Sequence, residues 1–141
     1  MTGVLIVDDD PKVRRSLRTI LEAIPHTVLE AGNGREAMPL VEQHEPDLLI
    51  VDIVMPEMDG LETIRAVRGK GYRMPIIAMP LRADAAQKRY SDFARSFGAD
   101  DVLPKPFVET DVLLAVRRSL DDKGERGAGG ARGASGSSAT G

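Results

Sequence analysis

VLIVDDDPKVRRSLRTILEAI, residues 4–24, joins two periodicities across one acidic turn. Val4–Val7 is an unbroken apolar run, which suits a short strand covered on both faces. After Pro11, the residues Val13, Leu17, Ile20, Leu21 and Ile24 recur on one face of a 3.6-residue helix, while Lys12, Arg14, Arg15 and Arg18 fall elsewhere. Strand, turn and helix make one βα unit. Three like charges, Asp8, Asp9 and Asp10, crowd the turn and repel one another. A helix start explains Asp10, as its N-cap with Pro11 at the first helical position. Asp8 and Asp9 are left over, and a cation at the turn would offset their repulsion.

The same unit recurs along the chain. Apolar runs predict further strands at Thr27–Glu30, Leu48–Val51, Ile76–Met79 and Asp101–Leu103. Helical periodicity fits Arg35–His44 and Leu61–Arg68, a stripe of Ala86, Tyr90, Phe93, Ala94 and Phe97, and a last face of Val112, Val116 and Leu120 with Leu113 beside them. Five strands alternating with five helices predict a doubly wound α/β fold around one parallel sheet. In such sheets, ligands bind beyond the carboxyl ends of the strands, where the strand order reverses. Pro39 falls inside the second helical segment, so that helix either begins late, near Met38, or is kinked.

A chain of 141 residues, 42% of them apolar, is enough for one ordinary domain and its core. The folded domain is expected over residues 1–120. Residues 121–141, DDKGERGAGGARGASGSSATG, hold half of the 14 glycines and no aromatic or branched apolar side chain, which predicts a flexible tail. Such a tail is too short and too polar for a helix-turn-helix, and the net charge of −3 does not favour a nucleic-acid or anionic membrane surface. No direct DNA binding is therefore expected. With no apolar run near ~20 residues and no basic leader, the expected location is cytoplasmic, away from the membrane. The absence of cysteine excludes a disulfide framework, a thiolate zinc site and a thiol nucleophile. His26 and His44 are isolated and not at metal-ligand spacing.

The carboxyl ends of the expected strands carry the chemistry. Strand one ends in the aspartate triplet, strand three in Asp52, and strand five leads into Pro104, Lys105 and Pro106. A hard cation such as Mg²⁺ takes oxygen ligands and keeps several waters, so Asp8 or Asp9 with Asp52 would suffice. Asp52 is either a solvated loop carboxylate or a nucleophile towards phosphorus, with metal and lysine neutralising the transferring group. In the following loop, Pro56 and Gly60 shape a turn back into a helix that Asp59 is placed to cap.

VLIVDDDP, DLLIVDIVMPEMDGLE, MPIIA and GADDVLPKPF together resemble, in order and spacing, the receiver domain of bacterial two-component response regulators. The resemblance implies a five-stranded, flavodoxin-like (βα)5 fold. It implies Asp52 as phosphoacceptor, charged by a histidine kinase or phosphotransfer protein, and Lys105 as the contact to the phosphoryl oxygens. Asp9 becomes a direct Mg²⁺ ligand, Asp8 acts largely through water, Asp52 joins them, and Val54 lends its backbone carbonyl. Also implied are a cis bond before Pro106 and a part for helix one, with Arg14, Arg15 and Arg18, in kinase docking; the plainer reading of those arginines is a solvated face. Such a domain assists its own phosphorylation and dephosphorylation, turns over no separate substrate, and signals to a downstream protein target.

Two positions depart from the family's pattern. Where the family has Thr or Ser after strand four, this chain has Pro80, which brings neither a hydroxyl nor an N–H. The phosphoryl group thereby loses a ligand worth ~1.5–3 kcal/mol if buried and charge-assisted, leaving the Leu81 N–H as the phosphoryl contact there. The aromatic residue that moves with that hydroxyl is replaced by Val102, and the connection from Pro80 to Gly98 is longer than the family's usual form. These departures support an alternative: a degenerate receiver acting as a phosphorylation-independent binding module. A Mg²⁺ phosphohydrolase, suggested by Asp8 and Asp10, lacks the larger chain and the motif continuation that class needs. Val54 offers no polar side chain to orient water, which predicts a slowly decaying adduct.

Overall fold

The apolar runs become β1 (Thr2–Val7), β2 (His26–Ala31), β3 (Leu48–Asp52), β4 (Ile76–Met79) and β5 (Asp101–Val102). Helices α1 (Pro11–Glu22), α2 (Gly34–His44), α3 (Gly60–Gly69) and α5 (Glu109–Gly129) connect or follow them, and residues 94–97 are helical and belong to α4. This computed structural model describes residues 2–23, 26–53, 60–80, 92 and 94–129. The strands lie parallel in the order β2-β1-β3-β4-β5, a doubly wound α/β sheet as expected. Order reverses between β1 and β3, and their register sets Val7 opposite Val51. Asp8 and Asp52 therefore leave the sheet side by side, at its switch point.

Period-two alternation divides the core. Leu5, Val7, Leu49 and Val51 face one layer, with Ala37 and Val41 of α2 and Ile64 and Val67 of α3. Val4, Ile6, Leu48 and Ile50 face the other, with Leu17 and Leu21 of α1 and Val112, Ala115 and Val116 of α5. Every one of these side chains is buried, and each large aliphatic contributes about 1.5–3 kcal/mol on leaving water. The two central strands are thus a rigid base for the aspartates at their ends. In the other expected helical stripe, Ala94 is buried and Phe97 half-buried; Ala86, Tyr90 and Phe93 lie outside the described residues.

Three details correct or extend the sequence reading. Helix α2 does not begin late: it starts at Gly34, with the Asn33 side chain accepting from the Glu36 N–H at 2.9 Å. Pro39 is exposed within the helix and brings no N–H to the backbone ladder. At the other end of the chain, α5 continues to Gly129, past residue 120, and residues 130–141 lie outside the described part. Finally, α3 is tied down by Arg68, which donates to the carbonyls of Tyr72, Met74 and Gly98 and to Asp100. Gly98 holds φ +123°, and a Cβ there would meet Arg68 Cγ at 2.7 Å, so both conformation and space require glycine.

Helix α1 is not simply a solvated basic face. Arg14 Nε donates to Glu30 Oε1 at 3.0 Å, Arg18 Nε donates to the other oxygen, and only Arg15 of the three stays exposed. The hydrogen bond from Arg18 holds the Glu30 carboxyl below its usual value against partial burial, and Arg14 adds to the effect. A carboxyl depressed in this way contributes stability that is present above its unfolded value of about 4.5 and lost as pH falls through the lower folded value. In acid titration of unfolding free energy, wild type is expected to lose stability more steeply than Glu30→Gln once pH drops below about 4.5. Parallel curves would show that the clamp contributes nothing.

Candidate functional site

Asp8 is fully buried, Asp52 is 5% exposed, and Asp9 stands open to solvent. One carboxylate oxygen from each lies within 4.8 Å of the others. The turn that carries them is braced from several sides. The Asp8 N–H donates to the Ala31 carbonyl at 3.1 Å, and Asp8 Oδ1 accepts from the Asp10 N–H at 2.9 Å. Asp10 caps α1 as expected, its side chain accepting from the Lys12 N–H at 2.9 Å.

Lys105 arrives from the far side of the sheet. Its backbone N–H donates to the Pro80 carbonyl at 2.7 Å, and the Lys105–Pro106 bond is cis, as the resemblance implied. Its ammonium lies 3.2 Å from Asp8 Oδ2 and 3.4 Å from Asp52 Oδ1. Burial pushes the Asp8 carboxyl upward, against the Asp10 N–H and Lys105, with Asp9 adding to the rise. Burial alone would lower Lys105, but Asp52 and Asp8 together hold it above its ordinary value. Two buried carboxylates and one ammonium leave a negative cleft with Asp9 at its mouth. The donor set is all oxygen, which fits a hard divalent cation rather than a soft one.

Gly60 is needed for a reason other than the one its sequence context suggests. Its φ is not left-handed; instead, a Cβ there would lie 2.0 Å from the Asp52 carbonyl oxygen. The start of α3 is pressed directly onto the backbone of the strand end that carries Asp52.

The sequence-predicted residues Asp8, Asp9, Asp52 and Lys105 thus come together in one cluster. Pro80 is buried at the end of β4, and Val102 is half-buried in β5, opposite Ala78. Val54, Leu81, Pro56 and Asp59 lie outside the described residues. Sequence reasoning missed the contact of Arg14 Nη1 with the Asp8 carbonyl, at 2.6 Å, because nothing in the spacing reveals that a helix side chain folds back over its own N-terminus. Beside Lys105, a groove of about 440 Å³ is lined by Lys12, Val13, Ser16, Pro106 and Phe107.

Comparison with known proteins agrees with this geometry. The response regulator MprA of Mycolicibacterium vanbaalenii is 40% identical over 117 residues, which are 83% of this chain and 49% of that protein. The chain therefore spans about half the length of the curated relatives it matches. Among solved structures, the signal receiver domain of a signal transduction histidine kinase from Syntrophus aciditrophicus superposes with TM-score 0.77 at 33% identity, covering 86% of this chain and 92% of that one. Chemotaxis protein CheY4 of Vibrio cholerae gives TM-score 0.76 at 30% identity, covering 85% and 99%. Residues 4–117 match the response regulator receiver domain along its sequence pattern, and the chain belongs to that family.

Proposed function

We propose that Asp52 accepts a phosphoryl group from a histidine kinase or phosphotransfer protein, with Mg²⁺ held by Asp9 and Asp52, Asp8 acting largely through water, and the Val54 carbonyl completing the set. The observation that carries this reading is the single cluster of Asp8, Asp9 and Asp52 with Lys105 bridging the two buried members. An Asp52 carboxylate oxygen attacks phosphorus, the bond from phosphorus to the donor imidazole breaks, and the imidazole nitrogen takes back the electron pair. Lys105 moves its hydrogen bonds from carboxylate to phosphoryl oxygen as negative charge arrives, and Leu81 contributes its N–H. A bound Mg²⁺ supplies charge neutralisation for that group. The chain changes only its own state and turns over no separate substrate.

The receiver domain is assigned to residues 1–120, and helix α5 carries on from it into the appended segment 121–141 as far as Gly129. A groove beside Lys105 gives the phosphodonor protein a landing surface next to the acceptor. The output passes through protein contacts in the cytoplasm; the curated relatives are about twice as long as the matched chain. Pro80 favours a second reading. Its carbonyl is already engaged by the Lys105 N–H and it has no donor of its own, so a fixed binding surface independent of phosphorylation would look the same.

Incubation with a small acyl phosphate and Mg²⁺ separates the two. Intact mass is expected to show one added phosphoryl group on wild type, lost slowly, and none on Asp52→Asn. Absence of the adduct, together with no change on adding beryllofluoride, would establish the fixed module instead.

A further inference from the structure

The proposed metal site has a brace outside its carboxylates, and the inference drawn from it rests on the phosphoacceptor reading above. Arg14 occupies the second turn of α1, where its backbone N–H donates to the Asp10 carbonyl at 3.2 Å. Its guanidinium then does two things at once. Nε donates to Glu30 Oε1 at 3.0 Å, and Nη1 donates to the carbonyl of Asp8 at 2.6 Å. Its side chain is 21% exposed and that of Glu30 is 29% exposed, so the pair is partly screened from water. It also reaches the next loop: a Cβ on Gly32 would lie 3.8 Å from Arg14 Nη1.

The Asp8 carbonyl belongs to the peptide plane between Asp8 and Asp9. Its direction fixes ψ of Asp8 and φ of Asp9, and so decides where the Asp9 side chain leaves the backbone. Other hydrogen bonds already hold Asp8, through its N–H to Ala31 and its carboxylate to Asp10 and Lys105. Asp9 is the exposed member and depends on that plane for its orientation. We infer that Arg14 is a positioning residue for the cation, holding the Asp8–Asp9 peptide so that Asp9 faces Asp52. Glu30 completes the device in two ways. It orients the planar guanidinium as a fork, and it neutralises a positive charge that would otherwise repel the cation.

Arg18, one turn further along α1, supplies the control. It holds the other oxygen of Glu30 but donates its remaining bonds to Glu22 and to the Val28 carbonyl, away from the turn. Loss of Arg18 therefore loosens the same clamp without releasing the Asp8–Asp9 peptide.

Calorimetric titration of Mg²⁺ into the metal-free 141-residue chain tests the assignment. Arg14→Met is expected to weaken Mg²⁺ binding about tenfold, the lower end of what outer-shell partners of metal ligands contribute. Arg18→Met is expected to stay within about twofold of wild type at comparable thermal stability, because Arg18 donates to Glu30, Glu22 and Val28 rather than to the turn that carries the ligands. Arg14→Lys, with one compact donor head in place of a fork, should recover part of the loss and show correct folding. In the absence of Mg²⁺, Arg14→Met should also move the amide resonance of Asp9 more than Arg18→Met does. Equal Mg²⁺ affinities for the two methionine variants, or a wild-type Asp9 amide in Arg14→Met, would overturn the positioning role alone. Failure of wild type itself to bind Mg²⁺ would overturn the phosphoacceptor reading and this inference with it.

Discussion

Gly60→Ala is expected to destabilise the domain by ~3 kcal/mol or more, at the upper end of overpacking substitutions. The added Cβ would lie 2.0 Å from the Asp52 carbonyl oxygen, 2.4 Å from Ile53 Cα and 2.7 Å from the Asp52 carbonyl carbon. All three are backbone atoms at the end of a buried strand, so no flexible side chain yields to make room. Relief requires either a retreat of α3, which opens the layer around Ile64 and Val67, or a bend at the end of β3. The second route displaces Asp52 itself, so folded protein that survives should also lose phosphorylation. Gly69→Ala is the internal control: nothing lies within 4 Å of a Cβ there, and alanine is the better helix former by about 1 kcal/mol at most. Urea unfolding followed by circular dichroism compares the two. A Gly60→Ala midpoint as high as that of Gly69→Ala would show that α3 and β3 are not in the close contact described.

How far the sequence alone reaches follows from which forces act locally. Buried strands such as Leu48–Val51 and an amphipathic helix such as α1 are written in residue period, so sheet class and the order of elements were legible. So were Asp8, Asp9, Asp52 and Lys105, because motif spacing and the strand-end rule point to the same edge. Strand ends were less so: Thr2, His26 and Asp52 extend their strands by pairing with neighbours, and pairing is a tertiary matter. Pro39 pointed to a late helix start or a kink; the Asn33 cap and the buried Ala37 and Val41 start α2 early and carry it through the proline. Gly60 was read for its backbone freedom, whereas the structure requires it for a close approach that no local pattern encodes. Arg14 and Arg18 looked like solvated charge because their partner Glu30 lies on another element, at sequence separations of 16 and 12.

Lys105→Met is expected to cost about 3 kcal/mol at neutral pH without Mg²⁺, as breaking one partner out of a buried ionic cluster does. The ammonium stands 3.2 Å from Asp8 and 3.4 Å from Asp52 and is 16% exposed, so screening by water is limited. Its removal leaves two buried carboxylates facing each other, with Asp9 adding a third like charge close by. The sign of the pH dependence follows from Asp8, whose carboxyl is already raised by burial. Without Lys105 it rises further, the folded state binds a proton more readily than the unfolded one, and the penalty shrinks as pH falls. Two compensations make the origin of the loss testable. A second substitution, Asp52→Asn, removes one of the facing charges and should restore part of the stability, whereas the effects of independent sites would simply add. Saturating Mg²⁺ should stabilise Lys105→Met more than wild type, because a cation bound to the native state alone adds its binding free energy to folding. Denaturant curves for wild type, both single variants and the double variant, each with and without Mg²⁺, decide the matter. A loss below about 1 kcal/mol, or a double variant less stable than Lys105→Met, would mean that the carboxylates are not held by the ammonium. The site would then draw its order from the backbone bonds around Asp8 and from α3, and Lys105 would serve the phosphoryl group only after it arrives.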